Sequence, residues 1–505
     1  MNFLYPYYRR WNIDRIELLF FVLLLLASVT MLQVIYPYAC LIVFLCLAFS
    51  FIVILKPLFG IYLLILLYPL DVFNLIIRSP QPQTIHLFFQ DIFSCVLLLV
   101  IIVRQLGERH QCRLHAEPFK AFPYKWIFFL LALFVIWSIF SLFGSEHFIV
   151  SLFGWWRFIS SFIVIAYISI YLDSYDKFIG VLIFYCCVSV IFASTAVYAT
   201  TNVFKVVYEL FQIFDTFISI QFGLFNAAGN IMLTHKGMLP GMGLASKHEL
   251  SMLLMGGIFF AIYLMKIYES IKIRCVLLTL ILLFMTIIHQ VSARLSVVGM
   301  FIVVVFFFLS IPSARKSTIR VMVILIVMNL AGHYCSSLIE PIHKKNMEAS
   351  QQFIEMANAE SDFATSSMAF RKYLWKRAAE RISRNMGLGS GPDSLMSDIS
   401  FTSVHAHNIF ITLAADYGIT GVLLILLFLF VIANSAYRSV FIEPQVKNNL
   451  WFLQAILVAS SLHALFENCF DVSIGQKQLW FMFGLLMASI HVAEIEKARD
   501  KLHLP

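Results

Sequence analysis

The sequence predicts an all-α fold, a polytopic membrane bundle of about fourteen spanning helices with two long loops on one side. Three observations predict it. Of 505 residues, 61% are hydrophobic and 13% charged, whereas soluble globular domains run at about 45–50% and about 25%. The apolar residues gather in runs close to the ~20 residues that cross a bilayer. Lys and Arg collect in alternate breaks between those runs.

Taken in order, the runs lie near 17–36, 38–55, 58–77, 86–103, 126–143, 155–172, 178–199, 249–265, 275–291, 295–311, 319–335, 409–433, 450–466 and 478–493. Arg9, Arg10 and Arg15 precede the first, as in a signal peptide, but no small-residue cleavage pattern follows, so a retained helix is expected. The chain divides into N-terminal spans (1–199), a loop (200–248), central spans (249–335), a large loop (336–408) and C-terminal spans (409–505). With the N-terminus in the cytoplasm, 21 Lys/Arg lie inside and seven in short outer segments; eight more sit in the loop 336–408, which is too long to count. Both termini and the segment 104–125 are therefore expected in the cytoplasm, and both long loops outside.

Val203 to Phe225 is apolar but broken by Lys205, Glu209 and Asp215, which reads as an interfacial amphipathic helix. Ser367 to Asn385 sets Phe370, Leu374, Ala378 and Ile382 at helical spacing beside Arg371, Lys372, Lys376, Arg377, Arg381 and Arg384, a basic amphipathic helix. The nine cysteines are odd in number and lack a C-x-x-C pair, so neither a disulfide framework nor a zinc site is signalled.

The local pattern richest in chemistry is Val404-His405-Ala406-His407-Asn408, entering a span that continues to Asp416-Tyr417-Gly418-Ile419-Thr420-Gly421. An imidazole at His407 would feel the positive end of a helix that Asn408 could cap, which disfavours imidazolium. A neutral imidazole accepts a proton near neutral pH. The plainer reading is an interfacial His bonded to a loop carbonyl, and for His405 support of the loop is the favoured role. A His405/His407 metal pair lacks further ligands at suitable spacing, so no metal is expected. Arg294, in a tight break between two spans, is costly there unless it meets carbonyls or an anion such as a diphosphate. Arg371, Lys247 and Arg157 are further candidates for substrate contact, with a solvated face or an interfacial anchor as the plain readings. The glycine run Gly387-Leu388-Gly389-Ser390-Gly391-Pro392 reads as a helix stop and turn, with an anion nest as the alternative.

Written as H-N-x9-G-x-x-G, the His407 to Gly421 pattern resembles the signature of the O-antigen ligase and polymerase superfamily, bacterial inner-membrane enzymes that move glycans off an undecaprenyl diphosphate carrier. Ser292-Ala293-Arg294, Arg371 with Trp375, and Leu479-Trp480 occur in the family's order, so the resemblance covers roughly 240–490. It implies a metal-independent, inverting glycosyltransferase with no cofactor. The active site would face the periplasm, with His407 and Arg294 catalytic and Arg371, Lys247, Arg157, His405 and Asn408 around the substrate. The implied partners are the lipid-linked glycan donor, a lipid A-core or growing-glycan acceptor, and membrane lipids. Ligase is favoured over O-antigen or exopolysaccharide polymerase by the His motif. A flippase or transporter is the competing class, since Asp71 and Asp91 lie in apolar surroundings. It predicts polar groups along a midplane path and paired repeats, whereas the polar residues here gather at the outer boundary.

Overall fold

A computed structural model describes residues 50–67, 73–78, 84–111, 122–146, 148–198, 231–235, 247–290, 294–310, 315–338, 367–392, 408–439, 448–470 and 477–502. Among them the chain is a helical bundle. Its helices are α1 (Pro57–Leu67), α2 (Phe89–Gln111), α3 (Phe122–Leu142), α4 (Phe148–Tyr171), α5 (Tyr175–Tyr198), α6 (Lys247–Ile267), α7 (Ile271–Gln290) and α8 (Arg294–Ser310). They continue with α9 (Arg315–Leu338), α10 (Ser367–Arg384), α11 (Ile409–Tyr437), α12 (Asn448–Phe470) and α13 (Lys477–Leu502). Nine helices of the described residues are long and apolar enough to cross a membrane, and the chain is a multi-pass membrane protein. The apolar runs expected from 126 onward each coincide with a helix, and the basic amphipathic helix expected at 367–385 is α10. The first expected span, most of the second and the amphipathic helix of 203–225 lie outside the described residues.

Two expectations change in detail. The run 58–77 is not one helix: α1 stops at Leu67, and 73–78 forms strand β1 (Phe73–Arg78). Pro69 stands between them in the sequence. It has no N–H to donate and disfavours helical backbone at the residue before it. β1 pairs antiparallel with β2 (Thr84–Phe88), which runs directly into α2. Its other edge pairs with β3 (Ile231–His235) from the 200–248 loop, giving the order β2-β1-β3. The second change, a bend inside 409–433, belongs to the site described below.

Neighbouring helices pack as the short connections between them require. Arg274 closes the α6–α7 turn by donating from Nε to the Tyr268 carbonyl at 2.9 Å. Arg104, near the end of α2, donates to the Ile54 carbonyl at 3.2 and 3.1 Å, satisfying a helix end where Pro57 would otherwise leave carbonyls unpaired. The core is aromatic. Trp480 of α13 meets Phe158 and Phe162 of α4 edge-on at 5.6 Å, and Phe134, Phe158 and Tyr417 pack ring against ring. Such pairs add about 0.5–1.5 kcal/mol each beyond the area they bury. The outward faces carry the opposite signature: Ile319, Val323, Val327 and Leu330 recur along the exposed side of α9, as a lipid-facing surface requires.

Candidate active site

Asn408 starts α11 as the sequence suggested. Its backbone is extended, and its side-chain Oδ1 accepts from the N–H groups of Phe410 and Ile411 at 3.0 and 3.1 Å. About two and a half turns later the helix breaks at Gly418, where φ is 71° and ψ 178°. This region of backbone space is open essentially to glycine alone. The break divides α11 into a short segment, 409–417, and a membrane-length one, 419–437, which at 1.5 Å per residue spans about 29 Å. The expected single span at 409–433 is therefore a bent helix, and only the part beyond Gly418 matches the bilayer core.

A broken helix frees carbonyls, and the glycine run claims them. Ser390 N–H donates to the Ala415 carbonyl at 2.9 Å and Gly391 N–H to that of Asp416 at 3.1 Å. Ile419 N–H returns a bond to the Met386 carbonyl at 2.9 Å, while Trp137 Nε1 donates to the Tyr417 carbonyl at 2.9 Å. The two glycine motifs of the sequence thus form one joint. A Cβ on Gly418 would strike the Gly387 carbonyl, and one on Gly421 would strike the Cβ of Tyr417. The stop-and-turn reading of the 387–392 run is the one the geometry bears out.

The joint holds α10 along the short segment of α11. Ala378 and Ala415 are buried against each other, with Ile382 and Ile411 packed beside them. Arg371, in α10, and Asn408, at the start of α11, consequently sit on two helices that touch. His407 precedes Asn408 in the chain; His405 and His407 themselves lie outside the described residues.

Arg157 is buried in α4, and its Nε lies 3.8 Å from Asp91 Oδ2 at the start of α2. Lys477, the first residue of α13, donates to Asp91 Oδ1, and Ser160 Oγ donates to the same oxygen at 3.2 Å. All three charged groups are at least 90% shielded from solvent: Asp91 at 2%, Arg157 at 6% and Lys477 at 1% exposure. Two cations share one carboxylate there. Lys477 was not singled out from the sequence. The available signal was a lysine two residues before Leu479-Trp480, because a charge at the mouth of an apolar run requires a partner.

Arg294 and Lys247 are the first residues of α8 and α6, which both pack on α12. Two residues after Arg294, Ser296 Oγ donates to Glu467 of α12, and His463 Nε2 donates to the Ser296 carbonyl at 3.0 Å. Glu467 and His463, 1% and 2% exposed, escaped the sequence reading because each stands alone in an apolar run. The structure thus gathers the candidates into three neighbourhoods: Arg371 with Asn408, Arg157 with Asp91 and Lys477, and the α6, α8 and α12 cluster. α13 packs against α4, α6, α11 and α12, and so touches all three.

Residues 275–426 match the family model described as O-Antigen ligase. The matched segment runs from α7 into α11 and includes Arg294, Arg371, His407, Asn408, Gly418 and Gly421; Arg157, Lys247, Glu467 and Lys477 lie outside it. A comparison with curated proteins found no match.

Proposed function

Because residues 275–426 match the O-antigen ligase family model, we propose that this protein is a membrane glycosyltransferase that moves a glycan from undecaprenyl diphosphate to an acceptor hydroxyl. The acceptor we propose is lipid A-core, and the active site faces the periplasm from the bacterial inner membrane. The observation that carries the reading is the joint at Gly418. The family match covers the H-N-x9-G-x-x-G stretch, and in that stretch Asn408 caps a short helix that the glycine run holds against basic α10.

In the proposed step, an imidazole nitrogen of His407 takes the proton of the acceptor hydroxyl as that oxygen attacks the anomeric carbon. The bond from that carbon to the diphosphate oxygen breaks, and its electron pair leaves with the undecaprenyl diphosphate. Displacement from the opposite face inverts the anomeric centre. The Arg294 guanidinium balances the charge that grows on the leaving group, a role suited to its two-pronged geometry. Arg157 and Lys477, buried together around Asp91, are the groups we place at a second contact with the diphosphate. Lys247, Arg371 and His405 complete the surroundings of donor and acceptor. The activated donor supplies the driving force, so the reaction uses neither metal nor nucleotide.

The test is twofold. A deletion strain should display lipid A-core without polymer, whereas core bearing a single repeat would identify a polymerase and an unchanged pattern would exclude both. With membrane levels matched, His407→Ala should lose about 10² to 10⁴-fold in single-turnover transfer while donor binding survives. Near-normal transfer by this variant would remove the assignment of the base. Arg294→Lys should weaken donor binding and turnover together.

A further inference from the structure

Beside the Gly387 run, a cleft opens between the last turns of α10 and the turn that joins α3 to α4. It is lined by Glu146 from that turn and by Arg377, Glu380, Arg381, Arg384, Asn385 and Ser390 from the end of α10 and the strip that follows it. Arg377 is paired with Glu380 at 3.6 Å, and Asn385 Nδ2 donates to Ser390 Oγ at 3.3 Å. Among the described residues that line it, three guanidinium groups stand against two carboxylates.

We propose that this cleft is a subsite for an acidic sugar, a pyranose bearing a phosphate or carboxylate substituent. Its space of about 120 Å³ equals roughly four water volumes at ~30 Å³ each, which accommodates one charged substituent and the edge of its ring. The mixed lining is what points to a sugar. Guanidinium groups grip phosphate or carboxylate through paired N–H donors, while Glu146 and Glu380 repel a bare anion yet accept from the hydroxyls that flank the charge on a sugar. The position fits as well, because Ser390 is bonded to the Ala415 carbonyl in the joint that aims the short segment of α11. The physiological ligand, an acidic residue of a glycan substrate, rests on the transferase reading, but the binding itself can be measured without it.

The experiment uses the full-length protein in phosphatidylcholine nanodiscs, with glucose 6-phosphate, glucuronate, glucose and inorganic phosphate as probes. Glucose 6-phosphate and glucuronate should bind, glucose should not at the same concentration, and inorganic phosphate should bind more weakly than glucose 6-phosphate. Arg381→Ala combined with Arg384→Ala should weaken binding at least about tenfold. Glu146→Gln should tighten it about two- to fivefold, a gain that misfolding cannot mimic. Binding indifferent to these substitutions would overturn the proposal, as would equal affinity for inorganic phosphate or displacement of the sugar by phosphatidylglycerol in the nanodisc, which would mark a lipid headgroup site. His407→Ala should bind glucose 6-phosphate normally, so loss of the transferase reading and loss of the subsite are separate results.

Discussion

Replacing Gly418 by Ala tests the joint that the two glycine motifs build. At φ 71° and ψ 178°, a residue with a Cβ costs about 1–3 kcal/mol in backbone strain. The added carbon also meets the Gly387 carbonyl, which is fixed backbone and has no rotamer to move. Relief requires the 386–391 strip to shift away from α11, which stretches the bonds Ser390–Ala415, Gly391–Asp416 and Ile419–Met386. Each contributes about 1 kcal/mol net, so the loss should total about 3–5 kcal/mol if two of the three weaken. Gly387→Ala is the matched control: its Cβ would meet nothing within 4 Å, and its cost should stay within about 0.5 kcal/mol. Equilibrium unfolding of the purified protein, with the midpoint read at unchanged slope, measures both. Glycan transfer should fall in Gly418→Ala and persist in Gly387→Ala, since the bend aims the segment that begins at Asn408. A Gly418→Ala protein within about 1 kcal/mol of the parent, with full transfer, would refute the reasoning.

Four further outcomes follow from the same structure. Asn408→Ala removes the acceptor of two backbone N–H groups and should cost about 1 kcal/mol, with Asn408→Asp restoring the stability in the same unfolding assay. Asp91→Asn leaves Arg157 and Lys477 without their shared carboxylate and should destabilise by about 3–5 kcal/mol; adding Lys477→Gln should recover part of the loss, and a fully stable single variant would discount the cluster. Glu467→Leu deprives the Ser296 hydroxyl of its acceptor and should cost about 1–3 kcal/mol. Because that hydroxyl lies two residues after Arg294, the variant should also raise the KM for donor, and an unchanged KM would confine the network to folding. Transfer should proceed in excess EDTA, and activity abolished by the chelator and restored by one divalent ion would reverse the metal-independent mechanism.

The buried polar groups have a common logic. Among the described residues, most buried serines, carboxylates and cations find a partner either on their own helix or on a neighbour. Ser169 and Ser460 bond to carbonyls four residues back, at 2.8 and 2.9 Å, and need no partner helix. Asp91, Glu467, Lys477 and Gln478 instead reach across helices, Gln478 to the Tyr185 hydroxyl at 2.8 Å. An unpaired polar group in such surroundings costs several kcal/mol, so these cross-helix bonds fix which helices lie side by side. They occur near the starts of α2, α8 and α13 and the end of α12, and Arg294 opens the second of these helices.

The sequence by itself determined the membrane class, the helices from 126 onward, the basic helix α10 and the cap at Asn408. These features follow from local rules: the length of an apolar run, the 3.6-residue spacing of Leu374, Ala378 and Ile382, and the preference of asparagine for a helix start. Only the tertiary structure decided that Gly418 is a bend rather than a helical glycine, because the carbonyls of Ala415 and Asp416 freed there are satisfied by Ser390 and Gly391, about 25 residues earlier in the chain. It also decided the strand character of 73–78, whose partners are β2 and the distant β3. The pairing of Lys477 with Asp91 spans 386 positions and that of Ser296 with Glu467 spans 171. No spacing rule reaches across such distances: which charge meets which is set by the order in which the helices pack, and that order minimises unpaired polar groups over the whole bundle rather than along any one run.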